Sequence, residues 1–244
     1  MHRSSPNIAL ITGANKGIGF EIARQIGRTG ATVVLGVRNT TAGETAVAVL
    51  SGEGLTASYL AIDVTDRASI AAAAGKIEAE FGRLDVLVNN AGINDPGDGL
   101  PSAAGLDAVE RVFRTNFLGA LAVTQAMLPL LRKARSGRIV NVSSGLGSLA
   151  QNGDPNYPSA AVKLIGYSAA KAALNMLTVQ LAHELRDTAI KVNSADPGYT
   201  ATDLNGHRGR QTIPEGAAEA IRLALLPDDG PTGSFSNSDG SVPW

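Results

Sequence analysis

Short β-branched runs alternate with alanine-rich segments of helical period along most of the chain, and this alternation constrains the fold more than any other feature. The runs are Ile8-Ala9-Leu10-Ile11, Thr32-Val33-Val34-Leu35, Ser58 to Ile62, Val86-Leu87-Val88, Ile139-Val140-Asn141-Val142 and Ile190-Lys191-Val192. Each reads as a buried strand. Between them Ile18, Ile22 and Ile26 recur at helical spacing, and the segment Asp66 to Phe81 opens on a residue suited to cap a helix. Buried strands separated by helices predict a parallel sheet with right-handed crossovers and helices on both faces, an α/β doubly wound architecture. Ligands of such sheets sit beyond the carboxyl ends of the strands. At 244 residues the whole chain, 1–244, is expected to form one domain.

Composition narrows the partner to a small molecule. The formal net charge is −1, and lysine and arginine are scattered, so no electrostatic footprint for nucleic acid or an anionic membrane is present. The absence of cysteine excludes disulfides, thiolate catalysis and cysteine metal sites. His2, His183 and His207 show no ligand spacing, and no metal is expected. Met1 to Asn7 is polar, and the run Ile8 to Ile11 is far shorter than the ~20 residues of a membrane span. A soluble cytoplasmic protein is the expectation. Two stretches should be irregular. Gly145 to Ile165 contains Asn152-Gly153-Asp154-Pro155-Asn156-Tyr157-Pro158, which cannot sustain a helix or central strand, so a surface excursion is predicted. Tyr199 to Gln211 follows a strand end, where a substrate loop or mobile lid would lie.

Several residues carry chemistry. Gly13, Gly17 and Gly19 fall between the first strand and first helix, where glycine permits positive φ and a backbone close to a pyrophosphate, and the helix N-terminus offers N–H groups. An ordinary tight turn would also need glycine. After the second strand Leu35-Gly36-Val37-Arg38-Asn39 lacks the acid that would bond an adenosine ribose. Arg38 can instead pair with a 2′-phosphate and Lys16 can add a second cation, which favours NADP(H) over NAD(H), although both could be solvated surface cations. Asn89-Asn90-Ala91-Gly92 and Asp63-Val64 stand at strand ends where the adenosine half of a cofactor would lie; the first also suits a turn, and Asp63 a helix cap. Ser143-Ser144 ends the fifth run, where a hydroxyl can bond a substrate carbonyl or form a turn. Asn116, within the helical region Leu106 to Leu131, is unfavourable unless its side chain or a nearby carbonyl serves another purpose. Tyr167 and Lys171 are four residues apart in a segment, 167–186, of helical character. That spacing stacks them on one face, where an ammonium would favour phenolate and lower a pKa of ~10 toward useful acid/base chemistry.

Taken together, Thr12-Gly13-x-x-x-Gly17-Ile18-Gly19, Asn89-Asn90-Ala91-Gly92, Asn116, Ser144, Tyr167-x-x-x-Lys171 and Pro197-Gly198 resemble the short-chain dehydrogenase/reductase superfamily, in order and over the whole chain. Asn15-Lys16-Gly17-Ile18-Gly19, Leu84 to Asn90, Thr115-Asn116-Phe117, Leu225-Leu226-Pro227 and Gly230 to Trp244 are similar to NADPH-dependent carbonyl reductases. The resemblance implies a Rossmann fold and interconversion of a carbonyl and an alcohol by hydride transfer. It implies Tyr167 as acid/base, with Lys171 lowering its pKa and binding the nicotinamide ribose. Ser144 would polarise the carbonyl, and Asn116 would hold a water linking Lys171 to solvent. The turn from Gly13 through Asn15 and Ile18 to Gly19, with Asp63, Val64, Asn90, Ala91 and Gly92, would hold the cofactor. Pro197, Gly198, Thr200 and Thr202 would line its nicotinamide and phosphates. The chain departs from the pattern in two places. The interval from Ser144 to Tyr167 is longer than usual, and Tyr157 lies nearer the usual distance, but position 161 is alanine, so Tyr157 lacks a lysine partner. The added segment would border the substrate pocket or block a helix surface used for homo-oligomers. Ala42 stands where some relatives place another cation, which would loosen the NADP preference. A non-catalytic dinucleotide sensor is the alternative, and such a protein would be expected to lose Tyr, Lys or Ser.

Overall fold

The computed structural model describes residues 6–244. Eight strands form one sheet: β1 (Ile8–Thr12), β2 (Thr32–Val37), β3 (Ala57–Ala61), β4 (Val86–Asn89), β5 (Arg138–Val142), β6 (Lys191–Ala195), β7 (Phe235–Asn237) and β8 (Gly240–Ser241). Their order is β3-β2-β1-β4-β5-β6-β7-β8. All neighbours are parallel except β8, which returns antiparallel to β7. Strand order reverses between β1 and β4, with Ala9 opposite Val33 on one side and Val86 on the other. A crevice opens beyond the carboxyl ends at such a switch point.

Successive side chains of a strand point to opposite faces, so each face needs its own apolar cover. Ala9, Ile11, Val33, Leu35 and Val88 pack with Ile22 and Ile26 of α1 (Gly17–Arg28), Leu50 of α2 (Thr40–Gly52) and Ala220 of α8 (Ile213–Ala224). Ile8, Leu10, Val34, Leu87 and Ile139 pack with Ile77 of α3 (Arg67–Phe81), Met127 of α5 (Ala120–Leu131) and Leu181 of α7 (Ile165–Glu184). Both clusters are nearly dry, which is the doubly wound arrangement that the alternating runs predict. Asp66 caps α3 by accepting from the Ala68 amide at 2.9 Å, and Gly82 ends it at φ +71°, the left-handed cap that glycine adopts without strain.

Buried polar side chains tie the sheet to its helices. Asn89 Nδ2 donates to Thr124 and to Asn141, each at 2.9 Å. Asn141 donates to Thr178 at 2.8 Å, and Thr178 meets Ser194 at 2.8 Å. This ladder crosses β4, β5 and β6, so the ends that carry the site share one rigid frame.

The structure adds detail in three places. The segment Leu106 to Leu131 is not one α-helix: α4 (Leu106–Phe113) and α5 flank a π-helical turn, Arg114–Gly119. Asn116 lies in that turn and clamps the loop after β4, accepting from Ile93 N at 2.8 Å and donating to Ile93 O at 2.9 Å. The stretch Gly145 to Ile165 holds a 3₁₀ turn, Gly145–Gly147, and a short helix, α6 (Leu149–Gly153). Ser148 caps α6 by accepting from Gln151 N at 3.0 Å. Gly145, Gly147 and Ser148 are buried; a Cβ on Gly147 would lie 2.7 Å from the Lys171 backbone. Only the later part of the stretch is a surface excursion. Finally, β7 and β8 are short and rich in turn residues, so periodicity does not reveal them; they form because β6 offers an unpaired edge.

Candidate active site

The glycine turn is built for close approach. Gly13 and Gly17 have φ of +65° and +60°, and a Cβ on Gly13 would lie 3.0 Å from the Ala91 Cα. Thr12 Oγ1 accepts from the amides of Asn90 and Ala91 at 3.0 and 3.1 Å, and Asn90 Nδ2 donates to the carbonyls of Thr12 and Gly13 at 2.9 and 3.2 Å. Asn90 thereby locks the turn to β4. Ile18 packs on the core beneath it, and Asn15 is half-buried in the turn itself. Lys16, the residue before helix α1, gives it no side-chain cap, and its first turn has no acid, so no side chain neutralises the partial positive charge at that end. An anionic pyrophosphate fits that end.

Arg38 is exposed just beyond β2. Asp63 closes the turn after β3, accepting from Thr65 N at 2.9 Å and Thr65 Oγ1 at 2.7 Å. Those bonds hold its carboxyl below the usual range, with a smaller contribution from Arg38. Asp66, not Asp63, caps the following helix. Val64 packs against Gly119 of the π turn, and Gly92 lies beside the Asn116 amide oxygen. Lys16 does not stand as a second open cation: its ammonium pairs with Asp203, whose other oxygen holds His207 at 2.7 Å. The loop Tyr199 to Gln211 is also tied by Asn94, which donates to Leu204 O at 3.2 Å. Within it Thr202 faces Gly17, whereas Thr200 is buried, donating to Pro197 O at 2.8 Å. Gly198 follows Pro197 at φ +65°.

Ser144, Tyr167 and Lys171 meet at the ends of β5 and β6. Ser144 caps the 3₁₀ turn, accepting from Leu146 N at 3.2 Å, and its hydroxyl favours the ionised form of the neighbouring Tyr167 phenol. Lys171 is 4% exposed; its Nζ donates to Val142 O at 2.7 Å and stands 5.6 Å from the Tyr167 ring centre. The expected lowering of the phenol does not appear in this structure. Burial pushes Tyr167 up to about 12, against the Ser144 bond and with Asp196 adding to the rise. The same burial brings Lys171 down to about 8, opposed by Asp196. For each group the cost of holding its charged form away from water is the largest influence, and it exceeds the Ser144 bond at Tyr167 and the pull of Asp196 at Lys171.

Two side chains that act on this cluster carry little sequence signal. Asp98 caps α7 from the loop after β4: its Oδ1 accepts from Gly166 N and its Oδ2 from Tyr167 N, both at 2.8 Å. It therefore holds the helical turn that carries Tyr167. Asp196, 8% exposed at the end of β6, accepts from Gly198 N at 3.0 Å and acts on Tyr167, Lys171 and Tyr157 alike. An acid immediately before Pro197-Gly198 is the one sequence clue to it. Among the described residues no group of three or more His, Cys, Asp or Glu could hold a metal ion, and no helix is long and apolar enough to cross a membrane.

A doubly wound sheet with a glycine turn at its switch point and a Tyr–Lys helix beside a strand-end serine defines a dinucleotide-dependent oxidoreductase architecture. Comparison with known proteins makes the class specific. The short chain dehydrogenase family model matches residues 7–212. Short-chain dehydrogenase/reductase 1 of Saponaria officinalis is 34% identical, the match covering 97% of this chain and 95% of that protein. Carbonyl reductase 1 of Sus scrofa, named for NADPH, is 34% identical over 99% of this chain and 95% of its own length. The crystal structure of NADPH-bound carbonyl reductase from chicken fatty liver superposes with a TM-score of 0.85 at 28% identity, over 99% of this chain and 100% of that one. This chain belongs to the short-chain dehydrogenase/reductase family of oxidoreductases.

Proposed function

We propose that this protein is an NADP(H)-dependent reductase of a ketone or aldehyde, with residues 1–244 holding cofactor site and catalytic groups in one domain. The reading rests above all on the meeting of Ser144, Tyr167 and Lys171 at the strand ends beside the glycine turn. Bound NADPH would supply the hydride to the carbonyl carbon. Ser144 would donate a hydrogen bond to the carbonyl oxygen as negative charge grows there. With its pKa near 12 the Tyr167 phenol carries its proton at neutral pH, the form a general acid needs to protonate the nascent alkoxide. Lys171, near 8, would return a proton to the phenolate and bind the ribose hydroxyls. The Asn116 side chain is committed to Ile93, so its contribution would come through the π turn and its backbone carbonyl.

Arg38 would bind the adenosine 2′-phosphate, with Lys16 joining only on leaving Asp203. The glycine turn, Asn90, Asp63 and Thr202 would hold the rest of the dinucleotide. The NADPH-named and NADPH-bound relatives support this choice. The test is NADPH oxidation against aldehydes, ketones and quinones, beside NADH and beside Tyr167→Phe. Turnover with NADPH that falls at least about 1,000-fold in the variant fits loss of the general acid with its proton path. A fully active Tyr167→Phe enzyme would overturn the assignment, and tight NADPH binding without turnover would favour a dinucleotide sensor.

A further inference from the structure

Gly145, the residue after Ser144, is overlain by polar atoms of three side chains. A Cβ built on it would meet the Tyr157 hydroxyl in hard overlap, Gln151 Oε1 at 2.8 Å and Asp196 Oδ2 at 3.2 Å. Tyr157 and Gln151 come from the added segment between Ser144 and Tyr167, and Asp196 from the end of β6. The three therefore converge on one point a single residue from the catalytic serine. Adjacent Cα atoms are only ~3.8 Å apart, so the next one or two carbons of a molecule whose carbonyl rests on Ser144 would be within reach of this cluster if it extends toward Gly145.

The cluster is rich in acceptors and poor in donors. Gln151 Oε1 is buried without a hydrogen-bond partner among the described residues. Asp196 uses Oδ1 on Gly198 N, leaving Oδ2 directed at the cluster. Tyr157 brings one O–H for two such acceptors, and the nearby Ser159 hydroxyl is spent on the Tyr157 oxygen. A buried acceptor left unmatched carries a desolvation penalty, which a ligand donor relieves. Two donor types are available, a hydroxyl and an ammonium. Asp196 already faces the Lys171 ammonium, and a second cation beside it would be repelled. The neutral donor is favoured.

We propose that Asp196, Gln151 and Tyr157 form a specificity wall for hydroxylated substrates, selecting carbonyl compounds with a hydroxyl on the carbon α or β to the reacting carbonyl. This assignment rests on the reductase reading above and goes beyond it, because it names a substrate class and the residues that choose it. A site built to hydrogen-bond a hydroxyl discriminates strongly against the analogue that lacks it, since the analogue leaves buried polar groups unpaired.

The experiment compares kcat/KM with NADPH for matched ketones: acetoin against butanone for the α position, and diacetone alcohol against methyl isobutyl ketone for the β position. Aminoacetone provides the cationic arm. The wild-type enzyme should prefer the hydroxyketone of at least one pair by about tenfold or more. That ratio should fall toward unity in Asp196→Asn and in Gln151→Leu, whatever either change does to the absolute rate. Tyr157→Phe supplies the same ratio should Asp196→Asn fail to fold. Equal turnover of both members of each pair, or a ratio the variants leave intact, overturns the specificity wall while the reductase reading stands. A preference for aminoacetone over both hydroxyketones overturns the choice of hydroxyl. Absence of turnover with every ketone overturns this inference, and the reductase reading falls with it only if aldehydes and quinones are not turned over either.

Discussion

Asp98→Ala tests how far the site depends on a capping residue remote in sequence. Helix α7 begins with no side-chain cap of its own at Leu164, and Asp98 supplies one from 68 and 69 residues away, bonding the amides of Gly166 and Tyr167 at 2.8 Å. A third bond, from Gly99 N at 2.8 Å, keeps the carboxylate in place. Losing a good cap costs ~1–2 kcal/mol, and removing an anion from a helix N-terminus a further ~0.3–1 kcal/mol. The sum is about 2 kcal/mol. For a domain of this size each kcal/mol lowers Tm by about 2–4 °C, so a drop of about 4–8 °C is expected. The activity loss should be larger than stability alone explains, because Tyr167 sits in the turn that frays. A displacement of ~1 Å at a reacting group can remove ~100-fold in rate. We expect kcat to fall about 10- to 100-fold at a temperature where the variant is fully folded. Asp98→Asn keeps one acceptor and should recover part of both losses. Thermal melts by circular dichroism, paired with steady-state NADPH oxidation, provide the readouts. An Asp98→Ala enzyme with wild-type Tm and kcat would refute the capping argument.

The cofactor assignment predicts that Arg38→Asp raises KM for NADPH about 10- to 100-fold, the loss of a charge-assisted phosphate contact, while improving NADH; an unchanged ratio of the two cofactors would sink it. Lys171 predicts a pH signature in stability. Burial lowers it from an ordinary 10.5 to about 8, so between those values the unfolded chain binds a proton that the folded chain has released, and stability rises with pH. Tyr167, raised from 10.0 to about 12, acts in the opposite sense: the stability linked to it is present below pH 10 and is lost as pH climbs toward 12. Urea midpoints for wild type and Lys171→Met, taken at about pH 8 and about pH 10, should therefore show the wild type gaining on the variant as pH rises. A difference that stays flat, or reverses, would contradict the burial argument for the lysine.

Much of the frame is legible in the chain because its signals are local. The apolar runs at Ile8, Thr32, Val86 and Ile139 become β1, β2, β4 and β5 within a residue or two, since a strand buried on both faces needs apolar residues throughout. Asp66 caps α3 as its position suggests. The π turn at Asn116 was visible only as an ill-suited asparagine, because the partner that distorts the helix, Ile93, is 23 residues away. The short helix after Ser148 is not legible because Asn152 and Gly153 read as breakers, yet a single turn that includes both forms under the Ser148 cap.

By itself the sequence determined the alternation of strand and helix, the glycine turn that opens α1, and the one-face stacking of Tyr167 with Lys171. These follow from backbone periodicity and from residues near one another along the chain. Tertiary structure alone decided that Lys16 pairs with Asp203, that Asp98 caps the helix that carries Tyr167, and that Asp196, Gln151 and Tyr157 converge over Gly145. It also decided the direction in which the phenol shifts, because burial and facing charges depend on elements brought together from opposite ends of the chain.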